Sequence, residues 1–286
     1  MRNTIIDFER MEGAIGELAA NYGKASPFPS IAIDDVLRID PVEVASFPDL
    51  DWEHWNKLGD RYQHQKFSCN DLSVIPEPFA QIIHESASPR FLRILEAMTG
   101  IEKLIPDPYL AGGGLHLSGP GGTLAPHTDF HIYRALDIYR QINVIVYLNE
   151  GWEEGDGGSL TLYDGEQAVK AIVPAFGRMA VFTTNDKSVH GFPVPVADGK
   201  WRRSIALYYY TAVESEEFSG DETTYWRQHD KPTGVVTRVR FMLYRALLQL
   251  SRVISIVAHV TNPLQGMGLV KTALENKKRE RKRRQL

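Results

Sequence analysis

From Tyr109 to Thr211 the chain is built of short apolar runs, near 110–118, 122–129, 141–149, 158–163, 168–173, 178–184, 188–193 and 201–211, separated by Gly, Pro, Asp and Asn. Eight such strands are the count for a jelly roll or double-stranded β-helix. Alternation in two of them shows which face is buried. In 141–148, Ile142, Val144, Val146 and Leu148 alternate with Gln141, Asn143, Ile145 and Tyr147; in 201–209, Ile205 and Leu207 stand opposite Arg202, Ser204 and Ala206. A wholly apolar outer face needs a cover. Residues 4–22 supply part of it as an amphipathic helix carrying Ile5, Phe8, Met11, Ile15, Leu18 and Ala19, and two helices at Pro76–Ser86 and Ser88–Thr99, the second ended by Gly100, supply the rest. The mixed face then lines the barrel with Asn143, Tyr147, Arg202 and Ser204. The expected class is α+β with a mainly β core: a double-stranded β-helix, cupin-like, with N-terminal helices on its major sheet and a C-terminal helical extension.

His127-Thr128-Asp129 is the chemical centre of that stretch. Residues i and i+2 of an extended segment point the same way, so the imidazole and the carboxylate converge. His190, in Ser188-Val189-His190-Gly191-Phe192, offers a third ligand. Two histidines and one carboxylate suit non-haem Fe(II) with positions left open. Any one of the nine histidines could equally be a packed or surface residue; the downstream strand from Trp201 to Tyr210 distinguishes this set, because Arg202 and Ser204 share a face there and suit an anionic co-substrate.

The order HTD, distal His190, then Arg202-x-Ser204 resembles the Fe(II)/2-oxoglutarate-dependent dioxygenases, and more narrowly their prolyl-4-hydroxylase-like branch. Gly112-Gly113-Gly114-Leu115-His116 leading into Gly121-Gly122, the run Val146-Tyr147-Leu148-Asn149, and Gly157-Gly158-Ser159-Leu160 extend the likeness over roughly Ala111 to Thr211. The resemblance implies that His127, Asp129 and His190 bind Fe(II) and leave positions for 2-oxoglutarate and O2. It also implies that Arg202 meets the co-substrate's C5 carboxylate, with Ser204 and Tyr147 as hydrogen-bond donors and Asn143 nearby, and that ascorbate supports turnover. The implied outcome is hydroxylation of a C–H bond, with succinate and CO2 as co-products. Asp129 disfavours halogenation, since family halogenases replace that carboxylate with a small residue. His116 falls among the family's pocket residues and reads equally well as a core histidine.

At 286 residues with 43% hydrophobic and 24% charged, the chain can bury a full core. The expected division is a dioxygenase domain over 1–215, with 1–105 as helix-rich support and 106–215 as the β-helix core, and an extension over 216–286. Within the support, Ser30–Asp34 alternates as a strand, Asp40-Pro41 caps a short helix, and 52–71 has no clear period and reads as loop with strand pieces. Acidic residues in the first ten positions leave no signal-peptide core, and the single Cys69 excludes an internal disulfide, so a cytoplasmic protein is expected. Residues 277–284 hold seven basic residues and one acidic one; without them the body stands near −10, which disfavours nucleic acid as a partner. Residues 214–232 read as a polar loop. Val235–Val260 reads as a helix with Arg238, Arg245, Arg252 and His259 every seven residues. Recurring charge argues against a membrane span. The helix either packs on the domain or on a second copy, as in a homodimer, or makes a weak membrane-surface contact, with the basic tail solvated.

The substrate, a peptidyl-proline, an amino acid or another small metabolite, is not named by these residues. Its expected contacts are His131, Tyr133, Arg134, Asp137 and Arg140, and the acidic loop 152–156. Two other classes fit a metal-bearing barrel: a zinc-dependent hydrolase, which needs a nearby carboxylate base and has no use for Arg202, and a non-catalytic binder of small molecules.

Overall fold

The computed structural model describes residues 4–59, 62–213 and 224–226, and positions of a helix between 239 and 261. By contact the chain divides into two units, 1–229 and 230–286. In the first, the elements run α1 (Phe8–Gly13), α2 (Ile15–Gly23), β1 (Ser30–Ile33), a 3-10 turn (Pro41–Ser46), β2 (Asn56–Leu58), β3 (Gln63–Cys69), α3 (Glu77–Ser86) and α4 (Pro89–Thr99). Then come β4 (Ile105–Pro106), β5 (Gly114–Thr128), β6 (Ile132–Tyr133), β7 (Ile138–Tyr147), a 3-10 turn (Glu154–Asp156), β8 (Leu160–Asp164), β9 (Gln167–Ile172), β10 (Met179–Thr183), β11 (His190–Phe192), β12 (Arg202–Thr211) and β13 (Tyr225–Trp226).

The strands form one antiparallel sheet in the order β1-β10-β7-β12-β5-β11-β8-β9, with β3 on the further edge of β5. The sheet curls into a double-stranded β-helix, and β5 makes the corner. Its first half, Gly114–Ser118, pairs with β12, and its last residues, Leu124 and His127, pair with β11. Two strands are expected at 110–118 and 122–129; they are one strand, bent at Gly119-Pro120-Gly121-Gly122, where Gly121 takes φ +72°. Close approach explains the preceding glycines: a Cβ on Gly114, at φ +87°, would lie 2.1 Å from the Cys69 carbonyl oxygen.

The expected faces are the observed ones. Ile142, Val144, Val146, Leu148, Ile205 and Leu207 pack in one core with Phe8, Met11, Leu18, Phe79, Ile82, Phe91 and Leu95 from the four helices. Tyr147 packs on the other side with Leu160, Leu162 and Phe182, between the sheets. Local signals set the helix ends. Ser88 caps α4 by accepting from the Phe91 amide, and Gly100 closes it at φ 73°; Asp40 caps the 3-10 turn by accepting from Val42. The single amphipathic helix expected over 4–22 is two, broken at Ala14, with Ile6 bridging to Leu37 ahead of them. The unpatterned stretch 52–71 holds β2 and β3. Within the span expected as loop, Tyr225 and Trp226 pair through their backbones with Thr128 and His127.

Candidate active site

The register of β5 and β11 builds the centre. His127 and His190 are cross-strand partners, so their rings share a face, with centroids 4.5 Å apart, and Asp129 follows two residues after His127. Ligand atoms of all three lie within 4.8 Å of one another, and all three residues are buried. Each ring is oriented by a backbone carbonyl: His127 Nδ1 lies 2.8 Å from the Ala125 oxygen and His190 Nδ1 2.9 Å from that of Ser188. With Nδ1 donating, each Nε2 presents a lone pair to the common point.

Asp129 is held by two groups. Asn143 Nδ2 donates to its Oδ2 at 2.7 Å, and Arg140 Nη2 approaches the same oxygen at 3.1 Å, while Oδ1 faces His127 Nε2 at 3.5 Å. Arg140 is fully buried, donates from Nε to Asn143 Oδ1 at 2.8 Å, and lies over the Tyr208 ring at 3.4 Å. Burial pushes the Asp129 carboxyl up, but Arg140 and the two imidazoles outweigh it and hold it well below the usual carboxylate range. Burial pushes His190 down to about 4, against the opposing pull of Asp129. One ionised carboxylate and a neutral imidazole are the protonation states that a divalent metal requires.

A cavity of about 240 Å³ opens over these groups. Arg202 reaches into it from β12, 5% exposed. Its Nε donates to the Gly158 carbonyl at 2.7 Å, while Nη2 and Nη1 lie 3.4 Å from Tyr147 Oη and 3.5 Å from Ser204 Oγ. Its guanidinium sits over the Phe192 and Tyr147 rings at 4.5 and 5.1 Å. Among the described residues no carboxylate pairs with Arg202. Burial lowers its pKa, and only Tyr147 works against that. Gly158 is forced by this contact: at φ +62° a Cβ there would meet Arg202 Cδ at 3.0 Å. Arg203 points the other way, half-buried, 5.9 Å from the Phe47 ring.

The structure thus brings together His127, Asp129, His190, Arg202, Ser204 and Tyr147. Asn143 is at the site as well, but both ends of its amide are engaged by Asp129 and Arg140. Of the five residues expected after the HTD to meet substrate, only Arg140 is among the cavity-lining residues; His131 is buried, 3.4 Å from Asp186. In the acidic loop, Trp152 donates to the Gly157 carbonyl and Asp156 pairs with Lys200. His116 lines the cavity with its Nε2 buried and unpartnered, and burial keeps the ring neutral. Gln63 and Lys66 on β3, Phe130 and Tyr208 also line it and were not foreseen. The signal for Lys66 is its register: Lys66, Ser118 and Arg202 form one cross-strand row over β3, β5 and β12.

Residues 113–210 match the sequence model of the family described as the 2OG-Fe(II) oxygenase superfamily. A 77-residue stretch is 32% identical to prolyl 3-hydroxylase OGFOD1 of Xenopus laevis, covering 25% of this chain but only 15% of that relative's length. Among solved structures, a prolyl 4-hydroxylase from Phytophthora capsici superposes with a TM-score of 0.51 at 21% identity, covering 74% of this chain and 68% of its own. A Pseudomonas putida prolyl-4-hydroxylase gives 0.47 at 18% identity, covering 68% of this chain and 98% of its own. The stretch that matches this family's model, residues 113–210, carries His127, Asp129, His190 and Arg202.

Proposed function

We propose that the protein is an Fe(II)- and 2-oxoglutarate-dependent oxygenase that hydroxylates a C–H bond of a prolyl, amino-acid or other small substrate. The observation that carries this reading is the pairing, in one cavity, of a metal-ligand set with a buried arginine that has no acidic partner among the described residues. An unpaired buried guanidinium is costly, and a carboxylate ligand removes the cost.

His127 Nε2, His190 Nε2 and Asp129 would hold the iron. Asn143 donates to Oδ2, which Arg140 Nη2 and His190 Nε2 also approach, while Oδ1 is turned toward His127. Arg202, with the Tyr147 phenol and Ser204 hydroxyl beside it, would bind the C5 carboxylate of 2-oxoglutarate; burial raises the Tyr147 pKa, so the phenol keeps its proton to donate. The bound iron, with O2 and 2-oxoglutarate, supplies an oxidation in which one oxygen atom enters the substrate C–H bond and the other enters succinate, with release of CO2. Phe192, Leu160 and Ile145 wall this end of the cavity with apolar surface and exclude water from the charged groups. Asp129 is the sole carboxylate among the described cavity-lining residues, so none of the others offers the second acid that a zinc hydrolase uses as its base.

The inferred partner is a small-molecule or peptidyl substrate and not nucleic acid, given the acidic body. The lone, buried Cys69 accords with a reducing compartment such as the cytoplasm. No helix among the described residues is long and apolar enough to cross a membrane. The test is succinate formation from 2-oxoglutarate by the full chain with Fe(II), O2 and ascorbate, with His127→Ala and Asp129→Ala alongside. Release that requires both residues supports the reading; release unchanged in either variant, or activity with zinc and no O2, refutes it.

A further inference from the structure

The described positions between 239 and 261 are helical. Their large apolar side chains face solvent: Val239, Leu243, Leu247, Leu250, Ile254 and Val257 are each 51–58% exposed. With Met242 and Val253, also exposed, they form a stripe about 140° wide at the helical 100° per residue. A stripe of that width is one continuous apolar face of the helix, not scattered surface residues.

Charge along this part of the sequence has one sign. No Asp or Glu occurs from Lys231 to Leu274, a stretch that contains Arg238, Arg240, Arg245, Arg252 and Lys271. Residues 231–286 hold thirteen basic residues and two acidic ones, +11, which leaves the first 230 residues at −15 in a chain of −4. By spacing, Arg238, Arg245 and Arg252 share a face that lies outside the apolar stripe.

The occupant of this face must offer both an apolar phase and negative charge. A second copy of the helix offers the first only. No carboxylate is available to pair with the arginines, so either orientation sets Arg against Arg, and the stripe is broader than a coiled-coil seam flanked by charged positions. A flat acidic protein surface offers the second only and leaves the stripe wet. A bilayer containing anionic lipid offers both, and a helix combined with a separate basic run is the two-signal form of stable surface anchoring. We propose that the helix over 239–261 lies in the interface of an anionic membrane, its apolar stripe among the acyl chains and its arginines at the headgroups, with residues 277–284 adding electrostatic hold.

The test sediments the full chain with sucrose-loaded vesicles at physiological salt, using phosphatidylcholine alone or with about a third phosphatidylglycerol. The expected result is pelleting with the anionic vesicles and not with the neutral ones. Leu243→Asp combined with Leu250→Asp should lower the partition coefficient at least about tenfold, with far-UV circular dichroism confirming that the helix persists. Replacing Arg281, Lys282, Arg283 and Arg284 with Gln should weaken binding and flatten its salt dependence. The proposal is overturned if the full chain stays in the supernatant, or if the double variant pellets as well as the parent, since the basic run alone then accounts for binding. It is equally overturned if sedimentation equilibrium shows a dimer that the double variant dissociates while neither form binds vesicles. A complex with an acidic helix-binding protein such as calmodulin, formed without vesicle binding, also overturns it.

Discussion

Arg202 and Arg203 are neighbours on β12, so a one-residue slip of register would exchange them. The structure places Arg202 in the cavity with three polar neighbours and, among the described residues, no carboxylate, and Arg203 on the helix-covered face. A carboxylate that accepts from a buried guanidinium gains charge-assisted hydrogen bonds worth roughly 1.5–3 kcal/mol. Arg202→Ala should therefore raise the dissociation constant for 2-oxoglutarate about ten- to a few hundred-fold. Arg203→Ala removes only a half-exposed stack and should change it less than about threefold. Calorimetric titration of the Mn(II)-loaded protein under nitrogen reads affinity without turnover. Thermal unfolding gives a second readout: ligand at a hundred times its dissociation constant stabilises by about 2.7 kcal/mol, a shift that Arg202→Ala should lose and Arg203→Ala should keep. A larger affinity loss in Arg203→Ala would show that the inward face of β12 is misassigned, and Ser204 would leave the site along with Arg202.

Three further outcomes follow from the geometry. Asn143→Ala removes the 2.7 Å bond that orients Asp129 and should weaken Fe(II) or Mn(II) binding about 10- to 100-fold; unchanged metal affinity would show that Arg140 alone positions the carboxylate. Gly114→Ala drives a Cβ to 2.1 Å from the Cys69 carbonyl and should cost several kcal/mol in urea unfolding, whereas Gly16→Ala in α2, with open space around it, should stabilise by about 0.5–1 kcal/mol. In the metal-free protein His190, at about 4 when folded against about 6.5 when unfolded, favours the folded state fully above pH ~6.5. That contribution, on the order of 3 kcal/mol, is lost as pH falls from there to about 4, and Asp129, held below its usual range, adds a further loss below about 3.8. A melting temperature flat from pH 7 to 5 would contradict it.

The parts of the fold legible in the sequence are those where one physical rule acts alone. Ile142, Val144 and Val146 alternate because β7 separates two packed layers, and Ser88 and Gly100 mark α4 because capping is local. The His127/Asp129/His190 grouping could be read because an i, i+2 pair needs only an extended backbone. Where two rules compete, the reading stops. β3 hides its period because Gln65 takes φ 48° at a bulge between His64 and Lys66, which shifts the alternation midway; Lys66 was lost with it. The strands expected at 110–118 and 122–129 are one, because glycines at 119–122 suit a break and a bend alike: a corner between two sheets needs the same backbone freedom as a chain reversal. The partnership of Arg140 with Asp129 had no local signature. It depends on the fold bringing Arg140 of β7 to Asp129, just past the end of β5, a tertiary fact.

That partnership explains how the ligand set can assemble before any metal arrives. Two imidazoles and a carboxylate, buried together, would leave a net negative charge away from water, and burial alone would drive the carboxyl to protonate. Arg140 supplies the compensating charge 3.1 Å from Oδ2, while the two imidazoles face the carboxylate, His127 Nε2 toward Oδ1 at 3.5 Å and His190 Nε2 toward Oδ2 at 3.4 Å. Arg202 is the reverse case, a buried cation with no counter-ion among the described residues. On the proposed function, compensation at one wall of the cavity and its absence among the described residues at the other would make the cavity selective for two visitors of opposite sign, a divalent cation at His127, Asp129 and His190, and a carboxylate at Arg202. If so, Arg140→Met, which keeps the bulk and removes the charge, should raise the Asp129 pKa and move the pH midpoint of Mn(II) binding upward by a unit or more, while 2-oxoglutarate affinity at saturating metal stays within a few-fold. A midpoint that does not move would mean that Asn143 and the imidazoles suffice, and Arg140 would then be only a packing residue over Tyr208.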